Sequence, residues 1–311
     1  MMLLAVLFAP KDLNNELPAS LQTQEQQDNN AITNHSDNLA DALSVHFIDV
    51  GQGDSILIGA SGHYMLIDAG ENEEGKTVVN YLKEQGVETL EYVIGTHPHS
   101  DHIGGLDTVI NNFQISKIIL PDVTNNTKTF EEVLDAIAEN GLKITKPKVG
   151  TEYKLGDGTF IIMAPNSSEY SDINNYSVVI KLVYGETSFL LTGDAEKISE
   201  EEMLENGLDL SANVLKLGHH GSSYSSSDSF LDAVGASSAI ISVGRNNKYG
   251  HPMEETVNRI LERGIKIYRT DESGTIVATS DGSYITFNHE PGETRNTTIP
   301  EVTATTPPAS K

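Results

Sequence analysis

Short apolar runs broken by glycine open the ordered part of the chain. "VHFIDV" (45–50), "SILIG" (55–59) and "YMLIDA" (64–69) are rich in β-formers and separated by turn residues, so they predict a three-strand meander. The period then changes. "KTVVNYLKEQG" (76–86) repeats its apolar positions at helical spacing and closes on Gly86, while "LEYVIGT" (90–96) is a continuous apolar run of strand length. The same reading predicts helices at 101–113, 129–140, 197–206, 226–234 and 253–263. It predicts further strands at 117–120, 159–164, 176–184, 187–193, 213–218, 238–243, 265–268, 274–279 and 283–288. Both halves mix strands with amphipathic helices, which implies an α/β (α+β) protein with two mixed sheets covered by helices.

The flanks lack this pattern. Residues 10–44 are rich in Asn, Gln and Asp with no sustained period and read as a disordered linker, and residues 289–311 read as a disordered Thr/Pro-rich tail. "MMLLAVLFA" (1–9) is apolar but has no basic flank and falls far short of the ~20 residues of a membrane span. It reads as the remnant of a signal or anchor, with a plain disordered N-terminus as the alternative. The folded domain is therefore expected at 45–288, and the flanks together favour an extracellular or cell-surface protein.

Composition narrows the chemistry. The chain has no cysteine, so disulfides and thiolate metal sites are excluded and any metal must sit on imidazole and carboxylate. A formal charge of −25 repels polyanions, so a nucleic-acid partner would need a local basic or metal-lined groove.

Of ten histidines, six fall in three places: His97, His99 and His102; His219 and His220; and His251. Each place follows a buried strand, "EYVIG", "NVLKLG" or "AIISVG", so all three can meet at one sheet edge. His97 and His99, two apart on an extended loop, point the same way and can chelate one ion. Asp101 and His102 open the following helix and can hold a second. Gly104 and Gly105 are costly in a helix, and close approach of backbone to the site would explain them. A carboxylate is needed to bridge two cations, and "FLLTGDAE" supplies Asp194 at the end of an apolar strand, where it could equally cap the next helix.

These residues resemble the metallo-β-lactamase superfamily, whose His-x-His-x-Asp-His motif is matched by His97, His99, Asp101 and His102. The similarity is closer to the ComEC-like branch, the hydrolase domain of competence DNA-uptake proteins and its free-standing secreted relatives. "FIDVGQGDSILI", "LIDAG", "GTHPHSDHIGG", "NNYSVVIKL", "LLTGD", "LKLGHHGS", "SVGRNNKYGHP" and "YRTDESGTI" carry it, over residues 45–288. The resemblance implies a four-layer αββα sandwich. It implies one ion on His97, His99 and Asp194, a second on Asp101, His102, Asp194 and His220, and Asp68 behind a ligand imidazole, fixing its tautomer. Many superfamily members give the first ion a further histidine, whereas residues 103–193 here contain none. "NNYS" stands in that place, with Asn174, Asn175 or Ser177 offered to water or substrate, and uneven occupancy of the two sites is the expectation.

Two divalent ions on such ligands, Zn²⁺ first and Mn²⁺ or Fe²⁺ also suited, activate water for hydrolysis. His219 and His251 are candidates to protonate the leaving oxygen, and Arg245 and Lys248 to bind phosphate. The leading expectation is a two-metal phosphodiesterase acting on DNA or, by similarity to phosphorylcholine esterases, on a cell-wall polymer. The rivals are hydrolysis of a lactone, thioester or other acyl bond, and a noncatalytic surface-binding module stabilised by metal.

Overall fold

The computed structural model describes residues 42–292. The expected signal remnant, most of the linker and most of the tail lie outside them. The first half of the described chain lays down strands β1 (Leu43–Phe47), β2 (Ile56–Ala60), β3 (His63–Ile67), β4 (Thr89–Ile94), β5 (Gln114–Ile119) and β6 (Ile144–Thr145) in spatial sequence. The second half builds a seven-stranded sheet from β7 (Glu152–Leu155), β8 (Gly158–Ala164), β9 (Val179–Tyr184), β10 (Thr187–Leu191), β11 (Val214–Lys216), β12 (Ser238–Ile241) and β13 (Lys266–Arg269). The chain then returns with β14 (Ile276–Ser280) and β15 (Ile285–Phe287), which pair on the far side of β1 and complete an eight-stranded sheet. Each sheet starts antiparallel and turns parallel, at β3–β4 in the first and β10–β11 in the second.

Strand alternation builds the layers. Ile56, Ile58, Met65 and Ile67 from the first sheet meet Phe160, Ile162, Ile180, Leu182, Phe189 and Leu191 from the second in one buried core between the sheets. The intervening Leu57 and Leu66 face outward, where helices α1 (Gly75–Glu84), α2 (Ser100–Ile103), α3 (Leu106–Ile110) and α4 (Lys128–Glu139) cover the first sheet. Val179, Leu190, Leu215 and Ile241 likewise pack under α5 (Lys197–Glu205), α6 (Asp228–Val234) and α7 (Glu254–Glu262). A last short helix, α8 (Thr270–Ser273), follows β13. The αββα sandwich expected from pattern and resemblance is the fold observed. No helix among the described residues is long and apolar enough to cross a membrane.

The single helix predicted at 101–113 is two short ones, broken at Gly104–Gly105. These glycines approach backbone, that of the loop after β3 and, at Gly104, also the Ser100 carbonyl oxygen, 2.4 Å from where a Cβ would stand. A Cβ on Gly105 would lie 2.4 Å from the Ala69 carbonyl oxygen, and one on Gly104 2.4 Å from the Asn72 amide nitrogen, so they seat the helices on the loop after β3.

Candidate metal centre

The ligand-bearing loops leave the ends of strands in both sheets. Residues 97–102 follow β4 of the first sheet, while Asp194 and the His219–His220 pair follow β10 and β11 of the second. The predicted meeting at one sheet edge is therefore a meeting across the mouth of two sheets. The loop "GHHG" forces it: His219 and His220 take consecutive left-handed conformations, with φ of 47° and 53°. Such backbone costs of order 1–3 kcal/mol per residue and persists where its surroundings over-determine it. Here it sends the His220 ring inward, 1% exposed, and leaves that of His219 at the cavity wall, 23% exposed.

Asp194, 2% exposed, is the hub. Its Oδ1 lies 3.2 Å from His102 Nε2, and its Oδ2 lies 3.9, 3.8 and 3.7 Å from the Nε2 atoms of His97, His219 and His220. His97 Nε2 and His99 Nδ1 stand 3.0 Å apart, and His220 Nε2 is 3.4 Å from Asp101 Oδ2. The ligand atoms of His97, His102 and Asp194, and separately those of Asp101, His102 and His220, all lie within 4.8 Å of one another. The far ring nitrogens are anchored: His102 Nδ1 on Asp68 Oδ2 at 2.8 Å, His220 Nδ1 on the Ser242 carbonyl at 2.9 Å, and His97 Nδ1 near the Ser177 hydroxyl at 3.3 Å. That is the outer support a metal-ligating histidine needs to hold its tautomer and aim.

The donor set fits divalent cations. His102 Nε2, His220 Nε2 and Asp194 Oδ1 are buried without a hydrogen bond, a state that costs about 1–3 kcal/mol per group unless something else satisfies it. Electrostatics agrees. Burial opposes charge on His102, but Asp194 and Asp68 outweigh it and hold the imidazole well above its ordinary range. At His220 burial is likewise overcome, by Asp194, Asp101 and Asp54, which take it up to about 10. Burial instead drives His97, whose nearest carboxylate is 3.9 Å away, well below its ordinary range. Protons thus collect where cations would balance the carboxylates, and metal loading would displace them.

A cavity of about 410 Å³ opens above this cluster, lined by Gln52, Ser100, Asn125, Thr127, Thr129 and Tyr249 beside His99, Asp101, Asp194, His219, His220 and His251. Other expected residues lie elsewhere. Asn175 and Ser177, expected to meet water or substrate, are 3% and 0% exposed and turn inward: Asn175 bonds Glu196, and the Ser177 hydroxyl accepts from the Asp194 amide at 3.0 Å. Arg245 and Lys248 do not line the cavity. The guanidinium of Arg245 donates to the Asp271 carbonyl at 2.8 and 3.1 Å, and Lys248 sits over the Tyr249 ring at 4.9 Å.

Three residues escaped sequence reasoning. Lys216, wholly buried, has its Nζ 3.0 Å from Asp54 Oδ2, and Asp54 Oδ1 is 3.5 Å from His220 Nδ1. Glu196 bonds His219. A lysine inside the apolar run "NVLKLG" and an acid straight after "GQG" were the available signals.

Comparison with known proteins decides the family. A family model described as the metallo-beta-lactamase superfamily matches residues 48–245. The chain belongs to that superfamily. Fold, family and ligand set together make it a metal-dependent hydrolase of the metallo-β-lactamase fold. It is similar to ComE operon protein 3 of Bacillus subtilis (32% identical, 75% of this chain, 32% of that protein) and to competence protein ComA of Neisseria gonorrhoeae (34%, 73% and 31%). It is also similar to recombination protein 2 of Haemophilus influenzae (30%, 75% and 28%). The superfamily member thus sits with the ComEC-like branch and spans about a third of the length of these relatives. Among solved structures, the metallo-beta-lactamase fold protein YhfI from Bacillus subtilis aligns over 76% of this chain and 100% of its own, with TM-score 0.53 at 13% identity, a likeness of fold alone.

Proposed function

We propose that the protein is a phosphodiesterase whose substrate, by the character of its competence-protein relatives, is a DNA strand. The observation that carries the reading is the cavity wall. Ser100, Thr127, Gln52, Asn125, His219 and His251 line the cavity above the buried cluster, a polar lining suited to an oxygen-rich tetrahedral anion rather than to an apolar acyl chain. When bound, two divalent cations would activate water and offset charge on the phosphoryl oxygens. His97, His99 and Asp194 would hold one, and Asp101, His102, Asp194 and His220 the other. The chain's own groups would do the rest: Asp68 and the Ser242 carbonyl keep two imidazoles aimed inward, and His219 and His251, on the cavity wall, would supply the proton a leaving oxygen needs.

The test is a substrate panel on the full chain loaded with Zn²⁺ or Mn²⁺. Bis-p-nitrophenyl phosphate and single-stranded DNA are expected to turn over, with lactones and thioesters untouched. Asp101→Ala, at a half-buried position in the first turn of α2, should lower turnover by more than ~100-fold, beyond the 10–100-fold usual for an outer-sphere partner, and leave the melting transition in place. Hydrolysis of acyl esters without phosphodiesters would overturn the reading, and full turnover by Asp101→Ala would overturn the ligand assignment.

A further inference from the structure

Tyr249 is the one tyrosine among the described residues that line the cavity, and no phenylalanine joins it there. It stands on the loop between β12 and α7 and is 48% exposed. Its ring neighbours that of His251, with centroids 5.8 Å apart and planes inclined by only 25°, so the two form a flat ledge on the cavity wall. The loop that carries the ledge is pinned from within. Asn247 Oδ1 accepts from the amides of Tyr249 and His251 at 3.1 and 3.0 Å, and its Nδ2 donates to the carbonyls of Gly244 and His251 at 3.0 and 2.6 Å. One side chain thus sets the backbone on both sides of the ring, and a platform organised in advance gives up little freedom when a ligand settles on it.

We propose that Tyr249, backed by His251, is the platform on which a nucleobase beside the scissile phosphate stacks. The inference rests on the phosphodiesterase reading and deepens it by naming what the substrate carries next to its phosphate. Tyr249 shares one space of about 410 Å³ with the metal-ligating cluster, a volume within the range of small-molecule sites. Every base presents a π-face, so such a platform accepts any strand sequence. Lys248 already holds its Nζ 4.9 Å from the ring centroid, but on an exposed side chain. An exposed ammonium over a ring is worth ~2–5-fold in an equilibrium and a stacked base ~5–150-fold, so the base would displace it. A quaternary ammonium is the other ligand a tyrosine face attracts. It prefers a cage of aromatic faces, whereas the rings of Tyr249 and His251 lie nearly parallel, which favours a planar ligand.

Esters that share a leaving group test it. The p-nitrophenyl ester of thymidine 5′-phosphate carries a base and methyl p-nitrophenyl phosphate does not, so departure of nitrophenolate cancels in the ratio of their kcat/KM values. With the zinc-loaded full chain, wild type should favour the thymidine ester. That ratio should fall ~5–150-fold in Y249A, the worth of one stacked base, and stay within ~3-fold of wild type in Y249F, which keeps the ring and loses the hydroxyl. Tyr249 is exposed, so alanine removes nothing from the core and the melting transition should hold. A wild type indifferent to the base, a ratio unmoved in Y249A, or an equal fall in Y249F overturns the proposal. The p-nitrophenyl ester of phosphorylcholine reports on the cation: if Y249A lowers its rate relative to the methyl ester and spares the thymidine ratio, the ring serves a quaternary ammonium and the proposal is overturned. Wild-type failure on all three esters would instead overturn the phosphodiesterase reading.

Discussion

Asp68 shows how much a single residue behind the ligands is asked to do. Its carboxylate accepts from the Thr96 amide at 2.8 Å, from the Thr96 hydroxyl at 2.7 Å and from His102 Nδ1 at 2.8 Å, all on a left-handed backbone with φ of 58°. Asparagine tolerates that backbone, so Asp68→Asn isolates the charge from the shape. Chelator competition should show zinc affinity falling 10–100-fold; unchanged affinity would mean that His102 needs no carboxylate behind it. At this scale the sequence was informative where ligands crowd together. Four side chains able to ligate metal within six residues of a strand end have few other uses, and Asp68 and Asp194 each follow an apolar run. Arg245 is turned from the cavity: nearness in sequence to His251 says nothing about where a guanidinium finds its acceptors, and Asp271, 26 residues on, supplies one. Glu196 was hidden because an acid entering a helix looks like an ordinary favourable charge at its N-terminus.

Among the elements, α2 and α3 carry the most consequence for the site, because α2 holds Asp101 and His102 and its seating fixes where they point. Gly105→Ala would put a methyl group 2.4 Å from the Ala69 carbonyl oxygen and 2.7 Å from the Gly75 Cα, contacts only a backbone shift can relieve. Urea unfolding should register a loss of about 1–3 kcal/mol, the range for overpacking, together with a lower zinc content. A variant as stable and as zinc-rich as wild type would mean the junction is soft. Periodicity located all the long helices and most strands within a few residues, since each buries one regular face. It missed β6, two residues long and with no period to read, and β7, whose "EYKL" alternates at an edge where only Leu155 is fully buried. Splitting of the 101–113 helix was half visible: the glycines announced a close approach, but the partner, a loop some 30 residues earlier, is a tertiary fact.

The whole molecule sets a strongly negative charge against the polyanionic substrate proposed for it. Screening should therefore help. Raising ionic strength from 0.01 to 0.15 M shortens the Debye length from about 30 to about 8 Å, so kcat/KM on single-stranded DNA should rise over that range while bis-p-nitrophenyl phosphate stays nearly flat. A steady fall on DNA, the signature of counterion release, would point to a basic track on the protein. The layering was legible because both halves alternate strand and helix, whereas the closing of the first sheet by β14 and β15 was not, since nothing local says which sheet a late strand will join. That closure has a consequence in the order of synthesis. β1 pairs with β14 from Leu43 opposite Ser280 to Phe47 opposite Ile276, so among the described residues the earliest strand waits for one of the last. Until then β1 presents a free edge beside a largely apolar face, which invites pairing with another nascent chain. Histidines 97 to 102 also emerge from the ribosome well before Asp194 and His220. Metal capture thus belongs to the end of folding, and a chain cut short before residue 276 would keep every ligand named above yet leave β1 without its partner.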